Sequence, residues 1–248
     1  MIPIRTREEL ALMRRAGSLL AEVMRKVGAA AKPGISTAEL DNLAEQLIIE
    51  RGALPAFKGY KNYPATICTS INEEVIHGIP GPRRLEEGDL VSLDLGLIHK
   101  MFYSDIAVTV GVGKISPEAQ RLIQVTRNSL TEGIRKARAG NRLSDVSHAV
   151  QSYVEKNGFA VVRQFVGHGI GRSLHEEPEV PNYGRPGKGP LLQAGMAMAI
   201  EPMVNIGTWE CDILDDGWTA VTSDGKLSAH FEHTIAITDA DAEILTLC

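Results

Sequence analysis

The chain has 248 residues, 44% hydrophobic and 23% charged, the balance of an ordinary folded globular protein. A chain of that length buries roughly 70% of its unfolded surface, and these fractions exclude a disordered chain, a collagen-like repeat and a disulfide scaffold. The net charge of −5 argues against a dedicated nucleic-acid binder, which carries a basic footprint.

The first ten residues bring charges early and contain no apolar core region, so no signal peptide is expected. Apolar runs such as 196–200 fall far short of the roughly 20 residues that span a bilayer. The cysteines, Cys68, Cys211 and Cys248, are far apart and odd in number, which fits a reduced, cytoplasmic compartment. Thr6 with Glu9 forms a capping box, and Leu10, Met13, Leu20, Met24 and Val27 recur at helical spacing up to Gly28. Pro33-Gly34 breaks the chain. Ser36 with Glu39 caps a second helix that runs to Gly52 with Leu40, Leu43, Leu47 and Ile48 on its apolar face. Residues 89–97 and 102–110 read as strands. Ser116-Pro117-Glu118 opens a third helix, with Pro in its first turn.

A shift of 106 residues lays the second helical region on the first. Lys32 falls on Arg138, Gly34 on Gly140, Glu39 on Asp145, Leu40 on Val146 and Gly52 on Gly158. The rest of the C-terminal half is strand-rich, at 196–205, 218–222 and 227–238, with turn dipeptides at Asp216-Gly217 and Asp224-Gly225. The expected architecture is α+β: one catalytic domain over 1–248, built from pseudo-repeated halves of roughly 1–113 and 114–248. Helices pack outside a curved antiparallel sheet, and a site lies between the halves.

Two aspartates sit in apolar strands, Asp94 in Leu93-Asp94-Leu95 and Asp105 in Ser104-Asp105-Ile106. A hairpin centred on His99-Lys100 would set them directly opposite, with Cβ atoms about 5 Å apart. Two buried carboxylates at that distance repel. Either one is protonated, or a cation lies between them, or the face is open to water. Glu201, before Pro202, and Glu232 have similar settings, though a strand-end glutamate beside proline also suits an exposed edge. His168 is flanked by Gly167, Gly169 and Gly171, which let the backbone bend sharply and leave the imidazole uncovered. Asp94, Asp105, His168, Glu201 and Glu232 together carry about −4, which two divalent ions neutralise, and carboxylates can bridge such a pair. Oxygen ligands with one imidazole suit Mn, Fe, Co or Zn. No HExxH, Gly-x-Ser-x-Gly or P-loop motif is present.

With these residues in place the sequence closely resembles type I methionine aminopeptidases, of the pita-bread fold. The likeness rests on Asn-Glu-Glu-Val-Ile-His-Gly-Ile-Pro at 72–80, Asp-Leu-Gly at 94–96 and Tyr-Ser-Asp at 103–105. It continues through Gly-His-Gly-Ile-Gly-Arg at 167–172, His-Glu-Glu-Pro at 175–178, Ile-Glu-Pro at 200–202 and Glu-His-Thr at 232–234, and covers nearly the whole chain. The resemblance implies removal of N-terminal methionine from nascent polypeptides with a small second residue. It implies one divalent ion on Asp94, Asp105 and Glu232, and another on Asp105, His168, Glu201 and Glu232. Glu201 would shuttle a proton, His175 would stabilise the tetrahedral intermediate, and His77 would contact the substrate near the scissile amide. Phe57, Tyr60, Tyr63, Cys68, His77, Leu174 and Trp218 would line the methionine pocket. Leu174 and Phe57 depart from the residues common in relatives, Phe and Cys. The Asn72, Glu74 and Ser228 region is where some relatives hold a monovalent cation. Expected partners are nascent N-termini and, transiently, the ribosome, with no membrane or nucleic-acid specificity and a monomeric state. The alternatives are an Xaa-Pro aminopeptidase-like peptidase and a non-catalytic peptide-binding protein on the same fold. His99, His148, His230 and His233 read as structural or surface residues.

Overall fold

The computed structural model describes residues 1–247; Cys248 lies outside them. Of the four α-helices, three form where the caps place them and the fourth where the 106-residue shift does. α1 is Arg7–Ala30, with the Thr6–Glu9 capping box formed in both directions. α2 is Thr37–Glu50, capped in the same way by Ser36 and Glu39. α3 is Pro117–Lys136 with Ser116 as N-cap, and α4 is Leu143–Lys156. The 106-residue shift carries Thr37–Glu50 onto Leu143–Lys156. Gly34 and Gly140 precede these helices at φ 93° and 91°, and Gly52 and Gly158 follow them at φ 68° and 79°. These are left-handed conformations that glycine adopts without strain. The bridges entering the two helices also correspond, Ser36 with Arg84 and Arg142 with Leu191.

The strands pair antiparallel throughout, but as three sheets rather than the single curved one expected. The main sheet has nine strands. Its path runs Leu54–Pro55, Leu90–His99, Phe102–Gly111, Glu232–Ala236, Ala197–Ile200, Gly167–Gly169, Glu176–Val180. The late strand Glu232–Ala236 therefore sits at its middle, between a strand of the first half and a strand of the second. Leu93, Leu95, Leu97 and Ile106 point to one face and pack on α1 and α2. Met198, Ile200 and Ile235 pack with Leu130, Ile134 and Val146 of α3 and α4. Alternation along each strand sends the intervening residues, the acids among them, to the other face.

The central hairpin differs from its expected register. The turn is Lys100-Met101, not His99-Lys100, and His99 pairs with Phe102. Both turn residues have positive φ, 47° and 68°, the two-residue turn whose twist suits a hairpin. Asp94 thus lies opposite Ala107, and Asp105 opposite Gly96. The two-residue slip preserves the face, because side chains alternate with period two, so the carboxylates become diagonal neighbours.

Two expected strands are broken. The 196–205 run leaves the main sheet at Glu201-Pro202, since Pro202 has no N–H for the ladder, and Met203–Asn205 joins a small sheet with Ser228–His230. The 227–238 run breaks at Phe231 between Ser228–His230 and Glu232–Ala236. At these corners Phe231 N–H donates to Pro202 O, 3.3 Å. The strand expected over 218–222 is shorter, at Ala220–Thr222.

Candidate metal centre and cavity

The acids converge around the middle of the main sheet. Asp94 and Asp105 come from the central hairpin, Glu232 from the middle strand, and Glu201 from the corner before Pro202. His168 lies in the Gly167–Gly169 strand, where the backbone is too crowded for side chains on either side. A Cβ on Gly167 would meet Ala199 O at 2.4 Å, and one on Gly169 would meet Glu177 O at 2.1 Å. The five residues are 7%, 4%, 2%, 6% and 7% exposed, in the order just given. Asp94, Asp105 and Glu201 each adjoin a core leucine or isoleucine that points to the opposite face.

The electrostatics follow from that burial. Desolvation raises the Asp94 carboxyl to about 7. It drives Asp105, Glu201 and Glu232 well above the carboxylate range, and the neighbouring acids push further in the same direction. No lysine or arginine pairs with any of the four among the described residues. Asp94 Oδ1 and Glu232 Oε1 are buried without a hydrogen-bond partner. Burial holds His168 neutral, at about 3, so its approaches of 3.5 Å to Glu201 and 3.9 Å to Asp105 are not ion pairs. Its Nδ1 lies 2.9 Å from Gly169 O. That bond fixes Nε2 as the free lone pair facing the acids, the usual arrangement of a ligating histidine. Ligand atoms of Asp105, His168 and Glu232 lie within 4.8 Å of one another. Unpartnered buried oxygens, no counter-cation and one oriented imidazole fit a divalent metal.

Beside this cluster opens a cavity of about 250 Å³. All the sequence-predicted residues line it. Phe57, Tyr60, Tyr63, Cys68, Leu174 and Trp218 form its apolar and aromatic walls, and His77 and His175 stand between those walls and the acids. Tyr60 stacks on His175 with ring centroids 5.3 Å apart, and His175 approaches His168 at 4.1 Å. Burial and the Lys61 charge lower the His175 imidazole. His77 is pushed to about 4 by burial, with His175 and Lys61 adding to the shift.

Sequence reasoning did not name Lys61 or Phe165, and it read His230 as structural or surface. Lys61 and Phe165 line the cavity, and Phe165 packs edge-on against His77 at 5.6 Å. His230 is 1% exposed, with Nε2 3.9 Å from Glu201 Oε2 and neither ring nitrogen hydrogen-bonded. Its spacing of two from Glu232 was the available signal. The group of Asn72, Glu74 and Ser228 has its polar atoms engaged within the protein. Asn72 bonds Asp89 and Leu90, Glu74 bonds Ile71 and Arg83, and Ser228 bonds Asn205.

The family model of metallopeptidase family M24 matches residues 11–239. The methionine aminopeptidase of Clostridium perfringens is 55% identical over 247 residues, covering 100% of this chain and 99% of the relative. The chain belongs to the methionine aminopeptidases of family M24. The crystal structure of the methionine aminopeptidase from Rickettsia prowazekii matches all of both chains at a TM-score of 0.98 and 43% identity. A prolidase from Pyrococcus horikoshii shares the fold at a TM-score of 0.81 and 22% identity, but this chain covers only 63% of it. The fold is thus the pita-bread fold of the M24 metallopeptidases. Among the described residues no helix is long and apolar enough to cross a membrane.

Proposed function

We propose that this protein removes the N-terminal methionine of nascent polypeptides whose second residue is small, using two divalent ions. The observation that carries this reading is the meeting of five buried ligand-type side chains with an aromatic, sulfur-containing cavity. Asp94, Asp105 and Glu232 would hold one ion, and Asp105, His168, Glu201 and Glu232 the other. When bound, the ions supply Lewis acidity and bring the pKa of water towards neutrality.

The chain's own residues do the rest. Phe57, Tyr60, Tyr63, Cys68, Leu174 and Trp218 enclose the methionine side chain, whose thioether packs well against aromatic edges. His77 contacts the scissile amide. His175, held neutral by burial, donates its N–H to the oxygen on which charge develops. Glu201 would take a proton from the attacking water and return it to the leaving amine nitrogen as the peptide bond breaks. We read the chain as one catalytic domain with pseudo-repeated halves of roughly 1–113 and 114–248. The aspartates come from the first half, and His168, Glu201 and Glu232 from the second. A cytoplasmic monomer that meets nascent chains at the ribosome suits this role.

The test is release of free methionine from Met-Ala-Ser by protein loaded with Mn or Co, with metal content measured on the same sample. Release with about two ions per chain supports the reading. Tight peptide binding without release would replace it with a binding module.

A further inference from the structure

His175 stands in a stretch with no regular structure. Residues 170–175 link the Gly167–Gly169 strand to the Glu176–Val180 strand, and both Leu174 and His175 face the cavity. Side chains do the work that ladder bonds do elsewhere. Glu176 Oε1 accepts from the backbone N–H groups of Arg172, 2.8 Å, and Ser173, 3.1 Å. Its other oxygen, Oε2, accepts from the Arg5 guanidinium. The flanks are tied as well: Tyr103 N–H donates to Gly171 O at 2.8 Å, and Arg172 reaches Glu9 at 3.0 Å.

Arg5 comes from the segment before α1, 171 residues from its partner. Its side chain is 7% exposed and that of Glu176 is 14%. Two glycines make room for it. A Cβ on Gly171 would lie 2.2 Å from the Arg5 guanidinium, and one on Gly195 would lie 2.8 Å from Ile4 and 3.0 Å from Arg5 O. Arg5 N–H is also anchored on Gly195 O, 2.8 Å. A buried ion pair contributes little net stability, because desolvation offsets its attraction. What it supplies here is geometry, since the Arg5 contact to Oε2 leaves Oε1 to accept from the two loop amides.

We propose that Arg5 is a positioning residue for the reaction. It fixes Glu176, Glu176 fixes the amides of Arg172 and Ser173, and the loop so held sets His175 against Tyr60 and the cavity. The inference rests on the role given to His175 above. Without Arg5 the Glu176 carboxylate keeps a buried site with no counter-charge and turns towards water, releasing the loop. A misplacement of about 1 Å at a reacting group costs up to about 10²-fold in rate.

The test uses the full-length, metal-loaded enzyme and the variants Arg5→Ala, Arg5→Lys, Glu176→Gln and His175→Ala. Three quantities are read: bound metal, kcat and KM for Met-Ala-Ser, and hydrogen exchange across 170–176. Arg5→Ala is expected to bind metal as before, to exchange faster in 170–176 but not in the Leu90–His99 strand, and to lose about 10- to 100-fold in kcat with a smaller change in KM. Arg5→Lys should recover part of that loss. Unchanged loop exchange in Arg5→Ala, or a kcat per metal-loaded molecule within twofold of the parent, would overturn the proposal. If Arg5→Ala does not fold, Glu176→Gln decides by the same two readouts. A fully active His175→Ala would sink the reading of the site and the kinetic half of this proposal with it, whereas loop exchange still judges the clamp.

Discussion

Asp105 and Glu232 have no neutral role to fall back on. Each is buried, each is assigned to both ions, and each is surrounded by other acids. Asp105→Ala and Glu232→Ala are therefore expected to lose bound metal and all measurable methionine release. His175→Ala should keep its metal and lose about 10²–10³ in kcat, the scale of one lost transition-state donor; metal stripped from this variant would show that His175 is a ligand instead. The acids were legible because an aspartate between leucines in a strand breaks the expected alternation. The roles proposed for His77 and His175 rest on resemblance alone, since a histidine in a loop carries no pattern of its own. His230 read as structural or surface, with nothing to place it beside Glu201. Its burial beside Glu201 is created by Met203–Asn205 pairing with Ser228–His230, a contact between distant segments that leaves no local trace.

At the scale of elements, capping boxes located the helix starts to the residue, because a cap is a local reciprocal hydrogen bond. Strand register was less accessible. The expected pairing was off by two, yet the face was right, since period-two alternation survives an even slip and fails only on an odd one. The turn itself offered a weak signal, as Lys100-Met101 lacks the Asn-Gly or Asp-Gly chemistry that favours positive φ. This suggests a stabilising change. Met101 is 71% exposed, so little packing is lost on replacing it. Met101→Gly should relieve the left-handed backbone, gain about 0.5–1 kcal/mol and raise Tm by roughly 1–4 °C. Calorimetry of the two forms checks this, and a lower Tm in the variant would show that the turn is not strained. The strand breaks at Pro202 and Phe231 were missed because hydropathy continues through both corners while the hydrogen bonding changes sheet.

For the molecule as a whole, the acid cluster sets how stability responds to pH and metal. Folding raises the pKa values of Asp94, Asp105, Glu201 and Glu232. Without metal the folded state therefore holds more protons than the unfolded one. Its advantage is full below the ordinary carboxylate range and is lost as pH rises through the folded values, about 7 for Asp94. Buried histidines act in the opposite sense. His77 and His233 lie at about 4, and His168 and His230 at about 3, so their contribution is lost as pH falls below 6.5. Above that they are neutral in both states and only the acids remain. The metal-free protein is expected to lose Tm as pH rises above about 6.5, through the Asp94 value of about 7. Metal binds the deprotonated ligands, so the rise in Tm on adding metal should grow across the same range. A metal-induced shift that shrinks with pH would contradict the assignment. The N-terminus gives a second whole-molecule test. Ile2 is β-branched and stiff, and overpacking a pocket made for small residues costs about 1–3 kcal/mol. Met1 should be retained in protein made in cells and lost from Ile2→Ala, and intact-mass spectrometry distinguishes the two by one methionine.

The strand that joins the two halves of the main sheet, Glu232–Ala236, begins only after 231 of the 248 residues have been made. At about 5–20 residues per second, Arg5 waits roughly 10–30 s after leaving the ribosome before Glu176 exists. Glu232, the acid at the middle of the site, arrives later still. During that interval the chain is an emerging polypeptide like any other, with an exposed Met1 and no completed site. Throughout that interval it has no site with which to process its own end.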